Sequence, residues 1–150
     1  MKVAVSLMPL ENRREAILRL ATGADRLGYD GFFLPETWSY DTTVLLAEAA
    51  VRTTLIGLGS AVLGVWGRSA GQLAMAAATL HDISSCGRFT LGLGASTQQL
   101  TEGLHDVKFT APVPKMRRVI TQEIEDRVAD EMLKHDTKRG GTIVLGTNGA

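Results

Sequence analysis

The sequence predicts an α/β fold built from parallel β/α units. Three observations predict it. Short apolar runs alternate with helix-forming stretches in the order β-α-β-α-β-α-β, with short links between them. Two of the runs end in small residues, Gly59-Ser60-Ala61-Val62 and Gly92-Leu93-Gly94-Ala95-Ser96, and an alanine-rich helix lies between those ends. Both of those runs are apolar, so the two strands read as buried. Such alternation implies a parallel sheet with right-handed crossovers. It does not choose between an open sheet and a barrel. A full eight-unit barrel takes roughly 200 residues or more, and the 150 residues here have room for about half of one.

Each element has a local reason. Lys2–Met8 is apolar and valine-containing, and reads as the first strand. Asn12 is placed to cap a helix through about Leu27 that stops at Gly28. Within it Ile17, Leu20, Ala21, Ala24 and Leu27 recur at three and four, one helix face. Gly31–Leu34 is the second strand, stopped by Pro35. Asp41 or Thr42 caps the next helix, through about Arg52. Leu55–Val62 is the third strand, Ser69 opens a helix through about Ile83, and Ser84-Ser85-Cys86-Gly87 breaks it. Phe89–Leu93 is the fourth strand. Beyond it, Thr97–Pro114 is polar and reads as an irregular loop. Lys115–Lys138 is charged and helix-forming, with Ile120, Ile124, Val128 and Met132 in one stripe. Thr142–Leu145 is a candidate fifth strand.

Composition narrows the function. Sixteen basic residues balance sixteen acidic ones, so the basic excess of a nucleic-acid binder is missing. No apolar run reaches the ~20 residues of a membrane-spanning helix. The first strand begins at once, so a signal peptide is not expected. Cys86 is the one cysteine, which fits a reducing, cytoplasmic setting.

Ligands of parallel α/β proteins sit at the carboxyl ends of the strands. Gly92–Ser96 offers bare backbone at such an end, with Ser96 or Thr97 able to donate to a hydroxyl or phosphate. It is not a dinucleotide fingerprint, because Gln occupies the last glycine position, and no phosphate loop of Walker type occurs. Metal-protease helices, histidine–carboxylate ligand sets and nucleophile elbows are missing too, so no metal site is expected. Glu102 and His105 read as solvated loop residues, and His81 and His135 as helix residues without ligand-spaced partners. Cys86 falls at the amino end of the fourth strand, the stability face.

Four segments together carry a family resemblance: ADRLGYDGFFLPETW at Ala24–Trp38, TTLIGLGSAVLGVWGRSAGQLAMAAATLHDIS at Thr53–Ser84, GRFTLGLGAS at Gly87–Ser96 and EGLHDVKF at Glu102–Phe109. The chain resembles the luciferase-like monooxygenase family, in particular its branch that uses the deazaflavin coenzyme F(420). The resemblance runs from about Lys2 to Arg118 and implies about half of a TIM (β/α)8 barrel of luciferase-like type over residues 1–118, with 119–150 a charged helix and short tail. The helix Gln122–Lys138 and the tail resemble material near the family's C-terminus, which implies a front half joined to a late fragment.

The resemblance also implies a site. It puts a bulge, often with a cis peptide between non-proline residues, at Ala61-Val62, where it backs the ring of coenzyme F(420) or FMN. Ser60, Ala61 and Val62 then form one wall, and Gly94, Ala95 and Ser96 another. Thr37 supplies a polar contact to the ring, and Glu36 hydrogen-bonds it or assists proton transfer as the catalytic group. Arg68 pairs with an acidic tail on the cofactor or caps local structure. The implied activity is that of an oxidoreductase: hydride transfer or oxygenation of a small organic substrate. Half a barrel leaves strand edges open, so a second copy or a partner is expected to cover them. The rival expectation is a non-catalytic half-barrel without cofactor.

Overall fold

The computed structural model describes residues 1–85 and 87–124. Strand β1 (Ala4–Ser6) is followed by α1 (Arg14–Arg26), β2 (Gly31–Leu34) by α2 (Thr42–Arg52), and the split strand β3 (Gly57–Ser60) and β4 (Leu63–Gly64) by α3 (Ala70–Ile83). A second split strand, β5 (Phe89–Thr90) and β6 (Leu93–Gly94), leads to α4 (Gln98–His105) and α5 (Pro112–Arg118). The main sheet has the order β1-β2-β3-β5, and β4 pairs with β6. Every pairing is parallel. The expected parallel β/α architecture is therefore present.

The two splits lie side by side. β3 and β4 are separated by Ala61-Val62, whose peptide bond is cis, as the resemblance implies. β5 and β6 are separated by Leu91-Gly92. The Leu63 N–H donates to the Gly92 carbonyl at 2.8 Å, so pairing resumes on the far side of both breaks. The strands are shorter than the apolar runs suggest for this reason. β1 also contracts to Ala4–Ser6 within the expected Lys2–Met8.

Helix ends follow side-chain chemistry. The Asp41 carboxylate accepts the Thr43 and Val44 N–H groups and caps α2. Ser69 and Gln72 form a reciprocal capping box at α3. The cap of α1 is a correction: Arg13, not Asn12, stands there, with no side-chain cap bond. The Glu11 carboxylate instead holds the N-cap residue itself, accepting the Arg13 N–H at 2.9 Å and its guanidinium at 2.8 and 2.6 Å. Gly28, at φ +76, ends the helix as expected.

Thr97–Pro114 is the second correction. It holds α4, capped by the Thr97 hydroxyl, and the first turn of α5. Pro112 opens α5, where a missing N–H loses no intrahelical bond. The helix expected from Lys115 thus begins earlier and passes into a π-helical turn at Val119–Ile124. Val128, Met132, His135, Thr142–Leu145 and Cys86 lie outside the described residues.

Two apolar clusters hold the layers together. One joins α1 and α2 to the sheet through Ile17, Leu18, Ala21, Phe32, Leu46 and Leu58. The other gathers Leu63, Val65, Leu73, Leu91 and Val119 around the upper strand pieces. Leu27, expected on the buried face of α1, sits at its C-cap and is exposed.

Candidate functional site

The carboxyl ends of β2, β4 and β6 converge. Ser60, buried, stitches the two breaks: its hydroxyl donates to the Gly92 carbonyl and accepts the Gly92 N–H, both at 2.9 Å. That hydroxyl is fully engaged within the protein. A Cβ added to Gly92 would lie 2.1 Å from the Ser60 carbonyl oxygen, and one on Gly94 would lie 2.3 Å from Val62 Cγ2. These two glycines admit the neighbouring strand break. Ala61 and Val62 then form an exposed apolar step at the strand ends, Val62 keeping 39% of its surface.

Gly64 stands between Glu36 and Ser96, 3.2 Å and 3.7 Å from where its Cβ would be. The Gly64 N–H donates to Glu36 Oε2 at 2.7 Å. Glu36 Oε1 is ion-paired with Arg68, and Arg68 reaches Asp41 Oδ2 at 3.0 Å. Burial works against the Arg68 charge, but the Glu36 and Asp41 carboxylates outweigh it and raise its pKa. Asp41 also ends below its ordinary value: burial raises it, and its Thr43, Val44 and Arg68 partners more than offset that. Ser96 is half-buried in a left-handed conformation at φ +61. The Ala95 carbonyl accepts the Trp66 indole N–H at 2.7 Å, and Trp66 tilts against Phe109 with centroids 5.6 Å apart.

The structure thus brings Glu36, Ser60, Ala61, Val62, Gly94, Ala95 and Ser96 to one end of the sheet. Thr37 is set apart, in a narrow groove with Leu7, Leu10 and Tyr40. Glu102 lies on α4, exposed; hydrogen bonds from the Gln98 amide and the Phe109 N–H lower its pKa. His105 packs its ring against Gly67. Gly64 and Trp66 escaped the sequence reading. The Glu36–Arg68 pairing did too, although opposite charges just past neighbouring strand ends are a usable signal.

The sequence model described as luciferase-like monooxygenase matches residues 1–121. The chain belongs to that family. One relative, provisionally named a coenzyme F(420)-dependent oxidoreductase of Mycobacterium tuberculosis, is 35% identical over 112 residues, 75% of this chain and 31% of the relative. The chain therefore spans about a third of that relative's length. Among solved structures, the FMN complex of the oxygenating constituent of 3,6-diketocamphane monooxygenase from Pseudomonas putida superposes with TM-score 0.69 at 20% identity, covering 80% of this chain and 37% of that one. The coenzyme F(420)-dependent tetrahydromethanopterin reductase of Methanopyrus kandleri gives TM-score 0.69 at 23% identity, covering 79% and 38%. At these identities the likeness establishes the fold, a partial luciferase-like barrel.

Proposed function

We propose that the chain provides part of an oxidoreductase site that uses a deazaflavin or flavin to transfer hydride to, or oxygenate, a small organic substrate. The observation that carries this is the exposed Ala61-Val62 step at the carboxyl ends of parallel strands in a member of this family. A flat ring system fits such a step: it needs apolar contact on one face and backbone groups at its rim. When bound, the coenzyme would supply the hydride or the reduced centre that activates oxygen. Ala61 and Val62 would carry the ring, with Ser60 and Gly94 holding the step from behind. Ala95 and Ser96 would line its rim, and Glu36 would lie under the same shelf; Thr37, which lines a separate groove, is not assigned to it. Arg68 is committed to two carboxylates, so it is not assigned to an acidic cofactor tail.

The chain is further proposed to act in the cytoplasm and to be completed by other polypeptide along its open edges. Among the described residues, no helix is long and apolar enough to cross a membrane.

The test is direct. FMN and coenzyme F(420) are titrated separately into the purified chain and followed by absorbance and fluorescence. Saturable binding of one of them is expected. No binding of either at high micromolar concentration would overturn the proposal and favour a half-barrel without cofactor.

A further inference from the structure

Glu36 is held as a structural acceptor is held. Its side chain keeps 9% of its surface exposed. Both carboxylate oxygens are engaged, one by the Gly64 N–H and one by Arg68. Its own N–H donates to the Val62 carbonyl at 3.3 Å, and the Leu34 carbonyl accepts the Ala61 N–H at 2.8 Å. The exit of β2 therefore grips the step at Ala61, at Val62 and again at Gly64. Arg68 is anchored on its other side by Asp41, which is fixed in turn as the N-cap of α2. A continuous set of contacts runs from a helix terminus, through two ion pairs, to a backbone N–H beside the step.

We propose that Glu36 is a positioning residue: its carboxylate, oriented by Arg68, fixes the backbone of the Ala61–Gly64 shelf. The use of that shelf rests on the flavin reading above. The clamp itself is a property of the chain and can be measured without any cofactor. Arg68 suits the role because its planar fork meets two carboxylates at once, which a lysine ammonium does not reproduce.

Amide hydrogen exchange at Gly64, read by NMR, tests it in Glu36→Gln, Arg68→Gln and the double variant. A hydrogen bond to a charged acceptor is strong enough that Glu36→Gln should speed Gly64 exchange about tenfold or more. Arg68→Gln should do the same, although Arg68 does not touch Gly64. The double variant should add little to either single change, the mark of residues acting as one unit. Arg68→Lys should fall between Arg68→Gln and the parent, and it carries the test if the other variants fail to fold. If a coenzyme binds, Glu36→Gln should weaken it and leave the acid limb of the kcat–pH profile in place.

Unchanged Gly64 exchange in Glu36→Gln, or fully additive effects, would overturn the clamp. So would a moved acid limb with unaltered coenzyme affinity, because it would make Glu36 a proton-transfer group. Failure of the parent chain to bind FMN or coenzyme F(420) sinks the flavin reading alone, and the exchange data still decide the clamp.

Discussion

The small residues at the two strand ends serve each other before they serve any ligand. Gly94 has no room for a Cβ because Val62 lies over it, and Gly92 has none because the Ser60 carbonyl does. Gly94→Ala should push the Val62 side chain off its seat and cost about 1–3 kcal/mol, the usual range for overpacking. Gly92→Ala should cost more, since it meets backbone that cannot rotate away. Urea denaturation midpoints check both, and a midpoint unchanged in Gly94→Ala would contradict the account. The glycines were legible in the sequence as places of close approach. What approaches was not, because a contact from a strand some thirty residues away leaves no mark in local spacing. Glu36 illustrates the same limit. Its place after β2 was visible, but its bonds to Gly64 and Arg68 depend on how the break in the next strand turns.

At the scale of elements, buried-edge polar side chains tie helix ends to strand starts at the opposite end of the sheet. Arg88 donates to the Ser84, Ile56, Ala50 and Thr53 carbonyls, joining the ends of α2 and α3 to the start of β3. Asp25, on α1, accepts the Thr54, Leu55 and Ile56 N–H groups at 2.9, 2.9 and 2.7 Å. Partial burial raises the Asp25 pKa, but these backbone donors outweigh it and leave it below the ordinary 3.8. The sign follows. A carboxylate lowered on folding stabilises the protein above its unfolded pKa and loses that contribution as pH falls through its folded value. Stability should therefore decline from about pH 4 downward. Asp25→Asn should lower stability at neutral pH and flatten part of that decline. Urea midpoints between neutral pH and the acid range check it, and parallel curves for parent and variant would refute it. Only part is removed because Glu11, Asp41, Glu48 and Glu102 are lowered as well. The starts of α2 and α3 were legible: Asp41, one of the two caps the sequence offers, and Ser69 stand at their N-caps. α4 was not, because eight residues with a single buried position, Thr101, give too short a pattern to separate from a polar loop.

At the scale of the molecule, the described helices cover one side of the sheet. Phe32, Leu34 and Leu58 point into the core under α1 and α2. On the other face the Phe33 ring lies over Gly31 and Gly59, where an added Cβ would meet it at 2.8 and 2.5 Å, and Ala4 and Ser6 are exposed beside it. β1 and β5 each have one neighbour among the described strands. All-parallel sheets occur almost only with both faces covered, and a free strand edge is a template for pairing. In longer members of the family the rest of the barrel can supply that cover. For the face that the described residues leave open, a second copy or another partner should supply it, with β1 meeting the far edge of a neighbouring sheet. Light scattering across a dilution series should show concentration-dependent association. Ala4→Lys places a charge on the uncovered face at the β1 edge without touching the helix-side core, and it should shift the equilibrium toward monomer. A parent chain that stays monomeric and well folded at about 100 μM, well above the micromolar range of ordinary specific association, would show that the exposed face needs no cover.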